Sequence, residues 1–311
     1  MALCRYAFAE FPTAPQQSEE LQHRILAMRV CGEQRSPLQK SAAMENFICV
    51  QCGTQFAETA EPPPRCPICE DERQFIRHAG QAWTTLKRLK TDHHNRFEDE
   101  APQLLCIGTE PEFAIGQRAL LLQSPGGNLF WDCITLLDEK TVGAVSARGG
   151  IRAIAISHPH YYSAMVEWAD QFDAQIFLHA KDRQWVMRES QRIQFWEGAT
   201  LLLWDELTLI NCGGHFDGGT VLHWPKGGNG KGALLTGDII QVVQDRRFVS
   251  FMRSYPNCIP LGAAAIDRIL NTIEPFSFDH IYGAWWNANI LVDAKAAVAR
   301  SAERYLRAIR P

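Results

Sequence analysis

Residues 151–163 read Ile-Arg-Ala-Ile-Ala-Ile-Ser-His-Pro-His-Tyr-Tyr-Ser, an apolar run that leads directly into a loop with two histidines. The β-branched residues of 151–156 predict a buried strand. Four apolar residues at helical spacing follow the loop: Met165, Trp168, Ala169 and Phe172. This spacing predicts an amphipathic helix. Because His158 and His160 lie between strand and helix, both imidazoles can point into a cleft at the carboxyl end of a sheet.

Two later motifs carry side chains of the same metal-binding kind. Residues 213–220 read Gly-Gly-His-Phe-Asp-Gly-Gly-Thr between two predicted strands, and they contain His215. A further predicted strand ends in Leu-Thr-Gly-Asp, which places Asp238 at its end. Imidazole nitrogen and carboxylate oxygen are both ligands of zinc and iron. An H-x-H pair alone is common by chance, but its combination with His215 and Asp238 in this order predicts a metal site.

The segments around these motifs are short apolar strands separated by glycine-rich turns. Residues 119–133 form a predicted hairpin around the turn Pro-Gly-Gly-Asn at 125–128. Five further strands are predicted, over 176–179, 200–203, 207–210, 220–224 and 233–236. Helices are predicted over 261–273 and 293–309. This order of elements predicts a layered α/β protein with two sheets in its interior.

The ordered motifs resemble those of the metallo-β-lactamase superfamily over residues 103–290. Its members have a strand, the sequence H-x-H-x-D-H, a helix, a later G-H loop, and then a strand that ends in G-D. Residues 117–133 also resemble the opening hairpin of these proteins. The resemblance implies an α/β fold, a four-layer αββα sandwich. It also implies that His158, His160 and His215 hold a first metal ion and that Asp238 bridges to a second.

The sequence departs from the superfamily pattern at the second metal site. Tyr162 and Ser163 stand where the pattern has Asp-His, and Gly-Ala-Trp-Trp at 283–286 stands where it has Gly-His. The three histidines and Asp238 then form a mononuclear site for zinc, or for iron, which would acidify a bound water. The aspartate that orients this water is missing, so Asp238 and Tyr162 are the predicted catalytic residues. Three other side chains are candidates for the missing base: Tyr161, Asp217 and His280.

Four cysteines lie in two C-x-x-C pairs ahead of this domain: Cys49, Cys52, Cys66 and Cys69. Thirteen residues separate the pairs, a spacing that allows four thiolates to converge tetrahedrally on one ion. The pattern resembles a zinc ribbon, and its Cys-Pro-x-Cys half resembles rubredoxin, in which the same ligands hold iron. Because the gap is shorter than that of rubredoxin, structural zinc is predicted. The ribbon is also a candidate docking surface for a protein.

The sequence divides into four predicted parts. Residues 1–43 carry Pro, Gln and Ser without a strand pattern and are predicted to be a flexible tail. Residues 44–77 form the zinc-ribbon-like module, and the polar residues 78–102 are predicted to be a connector. Residues 103–311 then form the metallo-β-lactamase-like domain.

The composition is that of an ordinary globular protein, with 46% hydrophobic and 21% charged residues. A formal net charge of −4 gives no general attraction to nucleic acid. The sequence has no apolar run of membrane-spanning length and no recognisable secretion signal, so a cytoplasmic location without membrane contact is predicted. The expected partner is a small-molecule substrate.

Three functions are compatible with these motifs. The resemblance implies first a metal-dependent hydrolase of an ester, thioester or similar small acyl compound. A protein that has lost catalysis but keeps the fold for binding is the second, as the missing ligands of the second metal site predict. A redox enzyme with iron held by His158, His215 and Asp238 is the third. The number and identity of bound ions distinguish the three.

Overall fold

A computed structural model describes residues 43–309, so the predicted tail over 1–43 lies outside the described residues apart from Ala43. The helices are α1 Pro67–Glu70, α2 Leu86–Leu89, α3 Glu139–Ser146, α4 Met165–Phe172, α5 Gly227–Gly230, α6 Ala263–Ile273 and α7 Ala294–Ile309. Two 3₁₀ segments cover Pro159–Tyr161 and Ala180–Trp185. The strands are β1 Ile48–Cys49, β2 Trp83–Thr84, β3 His94–Ala101, β4 Leu104–Glu110, β5 Arg118–Leu122, β6 Leu129–Trp131, β7 Ala153–Ala155, β8 Gln175–His179, β9 Ile193–Trp196, β10 Thr200–Leu202, β11 Thr208–Asn211, β12 Thr220–Trp224, β13 Ala233–Gly237, β14 Gln241–Val242, β15 Val249–Ser250, β16 Met252–Ser254, β17 Ile259–Pro260, β18 His280–Gly283 and β19 Asn289–Ile290.

Two large sheets organise these strands. Strands β3 to β9 form a seven-stranded sheet in chain order, antiparallel from β3 to β6 and parallel from β6 to β9. The second sheet has the order β10-β11-β12-β13-β18-β19 and is antiparallel except for the pair β13 and β18. The histidine loop follows β7 and Asp238 follows β13, so both lie at the carboxyl ends of strands with a parallel neighbour.

Alternate residues of one strand belong to different layers of the molecule. On β4, Leu105 and Ile107 join the core that contains helix α4, whereas Leu104 and Cys106 join the core between the two sheets. The six-stranded sheet packs its other face on α6 and α7. The layers are therefore helix, sheet, sheet and helix, which confirms the αββα sandwich predicted from the sequence.

Helix α4 holds the end of the histidine loop against the seven-stranded sheet. Trp168 is fully buried, and its ring stacks on Phe130 of β6 at 4.6 Å between centroids. Its indole N–H also donates to the carbonyl of Ile134 at 2.9 Å. The helix ends at Asp173, which adopts a left-handed conformation with φ 55°. The predicted helix after the loop is confirmed over Met165–Phe172.

The range 78–102 contains more structure than the predicted connector. Strand β2 pairs with β1 of the cysteine module, and β3 forms the edge of the seven-stranded sheet by pairing with β4 from His94 to Ala101. Strand β3 has no apolar alternation that would predict it, because Phe97 is its one large apolar residue. Charged residues on an exposed edge strand also prevent pairing with other chains. The sheet therefore begins within the range predicted to be a connector.

Within residues 43–309, none of the helices combines the length and the apolar character that crossing a membrane requires.

Candidate metal centre

The first two histidines lie in the turn that follows β7. The backbone at His158 is extended, and Pro159 starts the 3₁₀ segment that carries His160. A carboxylate oxygen of Asp132 accepts from the amide of Ser157 at 2.7 Å, and the Ser157 hydroxyl lies 2.9 Å from Nδ1 of His158. These contacts fix the ring of His158 and leave its Nε2 for another partner.

The third histidine lies in a tight loop between β11 and β12. Gly213 and Gly214 have φ angles of +68° and +85°, which favour glycine, and the amides of Cys212 and Gly213 both donate to the carbonyl of Gly219. Nδ1 of His215 lies 3.1 Å from the carbonyl of Met252. A carbonyl accepts only, so Nδ1 carries the proton and Nε2 keeps a free lone pair.

Asp238 reaches the histidines because a glycine precedes it. Gly237, the last residue of β13, has φ +54°, and a Cβ atom there would lie 2.5 Å from the hydroxyl of Ser157. Any larger residue would therefore push β13 away from the loop that carries His158. The Gly-Asp pair is thus a packing requirement as well as a source of a candidate ligand.

The four side chains bring one donor atom each within 4.8 Å of one another: His158, His160, His215 and Asp238. Nε2 of His158 lies 3.1 Å from Oδ1 of Asp238, and Nε2 of His215 lies 3.2 Å from Nδ1 of His160. Nε2 of His215 lies 4.0 Å from the same Asp238 oxygen. For comparison, a tetrahedron with metal–nitrogen bonds of about 2.0–2.1 Å has edges of about 3.3–3.4 Å. The spacing fits one ion.

Burial and missing partners support the same conclusion. The four residues are 1%, 2%, 1% and 5% exposed, in chain order. Nε2 of His158 and Oδ1 of Asp238 are buried without a hydrogen-bond partner although they lie close together. Buried polar atoms are nearly always hydrogen-bonded. A nitrogen and an oxygen that converge without a hydrogen bond therefore indicate that both atoms bind a common ion. The donor set therefore fits a metal ion such as zinc.

The electrostatics of the cluster favour a cation. Burial lowers the pKa of His158 and His160 well below their usual values and that of His215 to about 4, so all three are neutral at neutral pH. Neutral imidazole is the form that binds metal. Burial, followed by the charge of Asp132, raises the pKa of Asp238 to about 8. A divalent cation beside this carboxylate would offset that cost.

The positions of the second metal site are used for packing. Tyr162 is buried in the core that includes α4, and it lines a small cavity with Gln55 and Met187. The hydroxyl of Ser163 donates to the carbonyl of Cys133 at 3.2 Å. Trp286 stacks under the guanidinium of Arg96 at 4.3 Å. These side chains make packing and hydrogen-bond contacts of their own and are not part of the His/Asp cluster.

Tyr161, and not Tyr162, stands beside the candidate ligands. Its ring lies 4.4 Å from that of His158, and its buried hydroxyl has the Asp238 carboxylate as a neighbour without a well-aligned hydrogen bond. Burial, and next the charge of Asp238, raise the pKa of Tyr161 well above its usual value. The catalytic role predicted for Tyr162 does not fit this placement. Tyr161, one of the alternatives predicted from sequence, is the tyrosine whose ring packs against His158.

The other two candidates for a base lie elsewhere. His280 is on β18, where its ring contacts Tyr282 and lies near Gly228. Asp217 is in the loop of His215, but its side chain is exposed. Two residues that sequence reasoning missed are Asp132 and Arg73. Asp132 follows the apolar strand β6 and is 2% exposed, so a carboxylate at the end of a buried strand was the available signal.

The cysteine knuckle, defined here as residues 48–84 around the four predicted ligands, forms a second cluster. Sγ of Cys49 lies 3.6 Å from that of Cys69, and Sγ of Cys52 lies 3.7 Å from that of Cys66. Metal–sulfur bonds of about 2.3 Å give tetrahedral edges of about 3.8 Å. Hydrogen bonds from the other thiols, first Cys52, lower the pKa of Cys49. Four buried thiols at these distances fit one thiolate-bound ion.

The comparisons with known proteins agree with this architecture. No family model matches the chain. Among solved structures, the DIM-1 metallo-β-lactamase has a TM-score of 0.53 at 13% identity over 70% of this chain and 99% of its own. VMB-1 has 0.52 at 12% identity over 70% and 99%, and FIM-1 of Pseudomonas aeruginosa in its mono-zinc form has 0.52 at 13% identity over 70% and 97%. The protein therefore has the metallo-β-lactamase fold, with a cysteine knuckle and a His/Asp cluster.

A relative defines the family more narrowly. The chain is 51% identical over 268 residues to YmaE of Bacillus subtilis strain 168, whose name describes it as an uncharacterized protein. The match covers 86% of this chain and 97% of YmaE. The chain belongs to the same family as YmaE.

Proposed function

We propose that the protein is a metal-dependent hydrolase that uses a single ion, held by His158, His160, His215 and Asp238, to cleave a small ester-like or thioester-like substrate. The observation that carries the proposal is the convergence of these donors within 4.8 Å. The replacement of the second site by Tyr162, with Ser163 and Trp285–Trp286, supports the use of one ion rather than two. FIM-1, a fold relative, is named in a mono-zinc form.

In such a reaction the candidate ligands and Tyr161 have different roles. When bound, a zinc ion at this centre supplies Lewis acidity, which lowers the pKa of water and polarises a carbonyl. The histidines contribute neutral nitrogen, and Asp238 contributes the negative charge that offsets part of the charge of the ion. Tyr161 keeps its proton because its pKa is raised, so it donates a hydrogen bond to a reacting oxygen and does not act as the base.

A second candidate function is metal binding without catalysis. The specific observation that favours it is enclosure, because the four candidate ligands are at most 5% exposed. Four protein ligands also complete a tetrahedron, whereas catalytic zinc sites have three protein ligands and one open position. In this alternative Asp238 occupies the fourth coordination position, and the ion stabilises the sheets and loops around it.

One experiment on purified, untagged protein separates these functions. Bound metals are counted by plasma mass spectrometry, and hydrolysis of chromogenic esters and thioesters is measured for the wild type and for His158→Ala/His215→Ala. We expect two ions in the wild type, one in the variant, and hydrolysis only in the wild type. Two ions without hydrolysis in any substrate class would favour the binding protein, and an iron-loaded centre would favour oxygen chemistry. A wild type with no histidine-dependent ion would overturn the proposed metal centre.

A further inference from the structure

The segment that leaves the cysteine knuckle carries a buried arginine toward the third histidine. Arg73 is four residues beyond Cys69 and only 8% exposed. Its Nε and Nη2 donate to the carboxylate of Asp71 at 2.5 and 2.9 Å, which fixes the plane of the guanidinium. The remaining nitrogen, Nη1, is directed to the loop of His215.

Two contacts connect Arg73 to that loop. Its Nη1 donates to the backbone carbonyl of His215 at 3.4 Å, and its guanidinium carbon lies 3.9 Å from the ring centre of Phe216. The ring of Trp185 lies on the same guanidinium at 5.2 Å. A planar cation that both stacks on Phe216 and holds the carbonyl of the preceding residue restrains the backbone of the histidine.

A second set of bonds joins the same segment to the strand that orients the His215 ring. The hydroxyl of Ser254 donates to the carbonyl of Arg73 at 3.1 Å. The amide of Asn257 donates to the carbonyls of Glu72 and Gln74, at 2.9 Å each. Strand β16, which contains Ser254, also supplies the Met252 carbonyl that accepts from His215. Both the backbone and the ring of His215 are therefore held by groups tied to residues 72–74.

The first half of the knuckle contacts the other histidine loop. The amide of Gln55 donates to the carbonyl of Ser163 at 3.0 Å, and the hydroxyl of Thr135 donates to the carbonyl of Gly53 at 2.9 Å. A Cβ at Gly53 would lie 2.5 Å from that hydroxyl, so the two segments pack without space for a side chain. The knuckle thus contacts both loops that supply histidines, at Ser163 in the first and at His215 and Phe216 in the second.

We infer that Arg73 is a positioning residue for His215 and that the folded knuckle is part of the scaffold of the His/Asp metal centre. This inference rests on the proposed metal centre, but it does not depend on the reaction that the centre performs. Groups that orient a metal ligand through its other atoms typically change metal affinity by about 10–100-fold when they are removed. We expect a loss of that size at the histidines when Arg73 is replaced.

Cobalt(II) titration of the full chain tests this, because the two sites give separate absorption signals. Thiolate-to-cobalt charge transfer in the near ultraviolet reports the knuckle, and the d–d bands without thiolate character report the histidines. The variants are Arg73→Gln, Arg73→Lys and the matched control Arg65→Gln, whose side chain is 71% exposed in the same module. We expect Arg73→Gln to bind cobalt at the histidines about 10–100-fold more weakly, with altered d–d bands and an unchanged thiolate band.

The outcomes are separable. Because lysine keeps the charge but not the forked, stacked geometry, Arg73→Lys should also weaken the histidine site. If Arg73→Gln and Arg73→Lys bind cobalt at the histidines within twofold of the wild type, the inference is wrong. If Arg73→Gln loses the thiolate band, the knuckle has unfolded and this variant cannot test the inference. Asn257→Ala, which removes the bonds to Glu72 and Gln74, then replaces it, and cobalt affinity at the histidines within twofold of the wild type would again show that the inference is wrong. A wild type that binds cobalt only at the cysteines overturns the metal centre itself and the inference with it.

Discussion

The cysteine knuckle draws its four ligands from residues 49–69, whereas the His/Asp centre draws its four from residues 158–238. The knuckle ligands lie on two short turns, so an ion there can organise the segment almost by itself. The histidines and Asp238 lie on loops after β7, β11 and β13, which belong to both sheets. The first site folds its own ligands, and the second depends on packing that brings distant strand ends together.

This difference predicts an asymmetric response to loss of ligands. A linkage between two sites changes both affinities by the same factor, but a structural Cys₄ site starts from a much tighter affinity. Loss of the histidine ion should therefore leave the knuckle loaded. Loss of the knuckle ion should weaken the histidine centre enough to be measured.

The largest effect is expected for Cys49→Ser/Cys66→Ser. This variant should lose the knuckle ion, and it should lose the most stability, because structural zinc contributes about 10–16 kcal/mol of apparent binding free energy in isolated zinc-finger peptides. Thermal unfolding and metal counting measure both losses. Cys258→Ser, at an exposed cysteine, is the matched control and should change neither. An unchanged midpoint in the double variant would show that the knuckle folds without an ion.

The next effect concerns the charge at the centre. Without an ion, the pKa of Asp238 is about 8, above the value of about 3.9 in an unfolded chain. The folded state then holds a proton that the unfolded state has lost, so stability falls as the pH rises toward 8. Between pH 6.5 and 8 this fall amounts to roughly 2 kcal/mol, and Asp238→Asn should remove it. The three histidines, whose pKa values are lowered, act in the opposite direction, because near pH 6.5 the unfolded chain takes up about half a proton on each and the folded chain does not. The contribution of Asp238 is therefore the difference between the wild type and Asp238→Asn.

Urea unfolding at pH 6.5 and 8 checks this, with protein stripped of the histidine ion and a metal count that shows the knuckle still loaded. Asp173→Asn is the control, since its side chain is 92% exposed. With the ion bound, Asp238→Asn should be less stable than the wild type, because the substitution removes a metal ligand. The same pH dependence in metal-free wild type and metal-free Asp238→Asn would contradict the burial of a protonated Asp238.

An effect of similar size is expected where β13 meets the histidine loop. Gly237→Ala places a Cβ in a left-handed backbone and against Ser157, so we expect a destabilisation of about 1–3 kcal/mol and weaker metal binding at the histidines only. Gly143→Ala is the matched control, because no atom lies within 4 Å of the added Cβ in helix α3. It should stabilise by about 0.5–1 kcal/mol. Equal stability of the two variants would remove the packing argument for the Gly-Asp pair.

The same comparison explains what could be predicted from sequence. The knuckle and the ligand quartet were predicted because their residue types recur at characteristic positions, and the αββα layers followed from the resemblance of the ordered motifs to the metallo-β-lactamase superfamily. Strand β3 was not predicted because its exposed edge needs no apolar alternation. Arg73 was not predicted because its partners, His215 and Phe216, lie more than 140 residues away in the chain. Long-range contacts of this kind leave no local pattern.

The smallest change in stability is expected for Tyr161→Phe. The buried hydroxyl of Tyr161 has the Asp238 carboxylate as a polar neighbour but makes no well-aligned hydrogen bond, so its removal should change the free energy of unfolding by about 1 kcal/mol or less. If this hydroxyl donates to a reacting oxygen, hydrolysis should fall by roughly 10–1000-fold while metal content stays the same. Tyr162→Phe, one residue along in the core, is the control and should hydrolyse at the wild-type rate. Equal rates in both variants would make Tyr161 a packing residue like its neighbour, and stabilisation of a reacting oxygen would then be left to the metal ion alone.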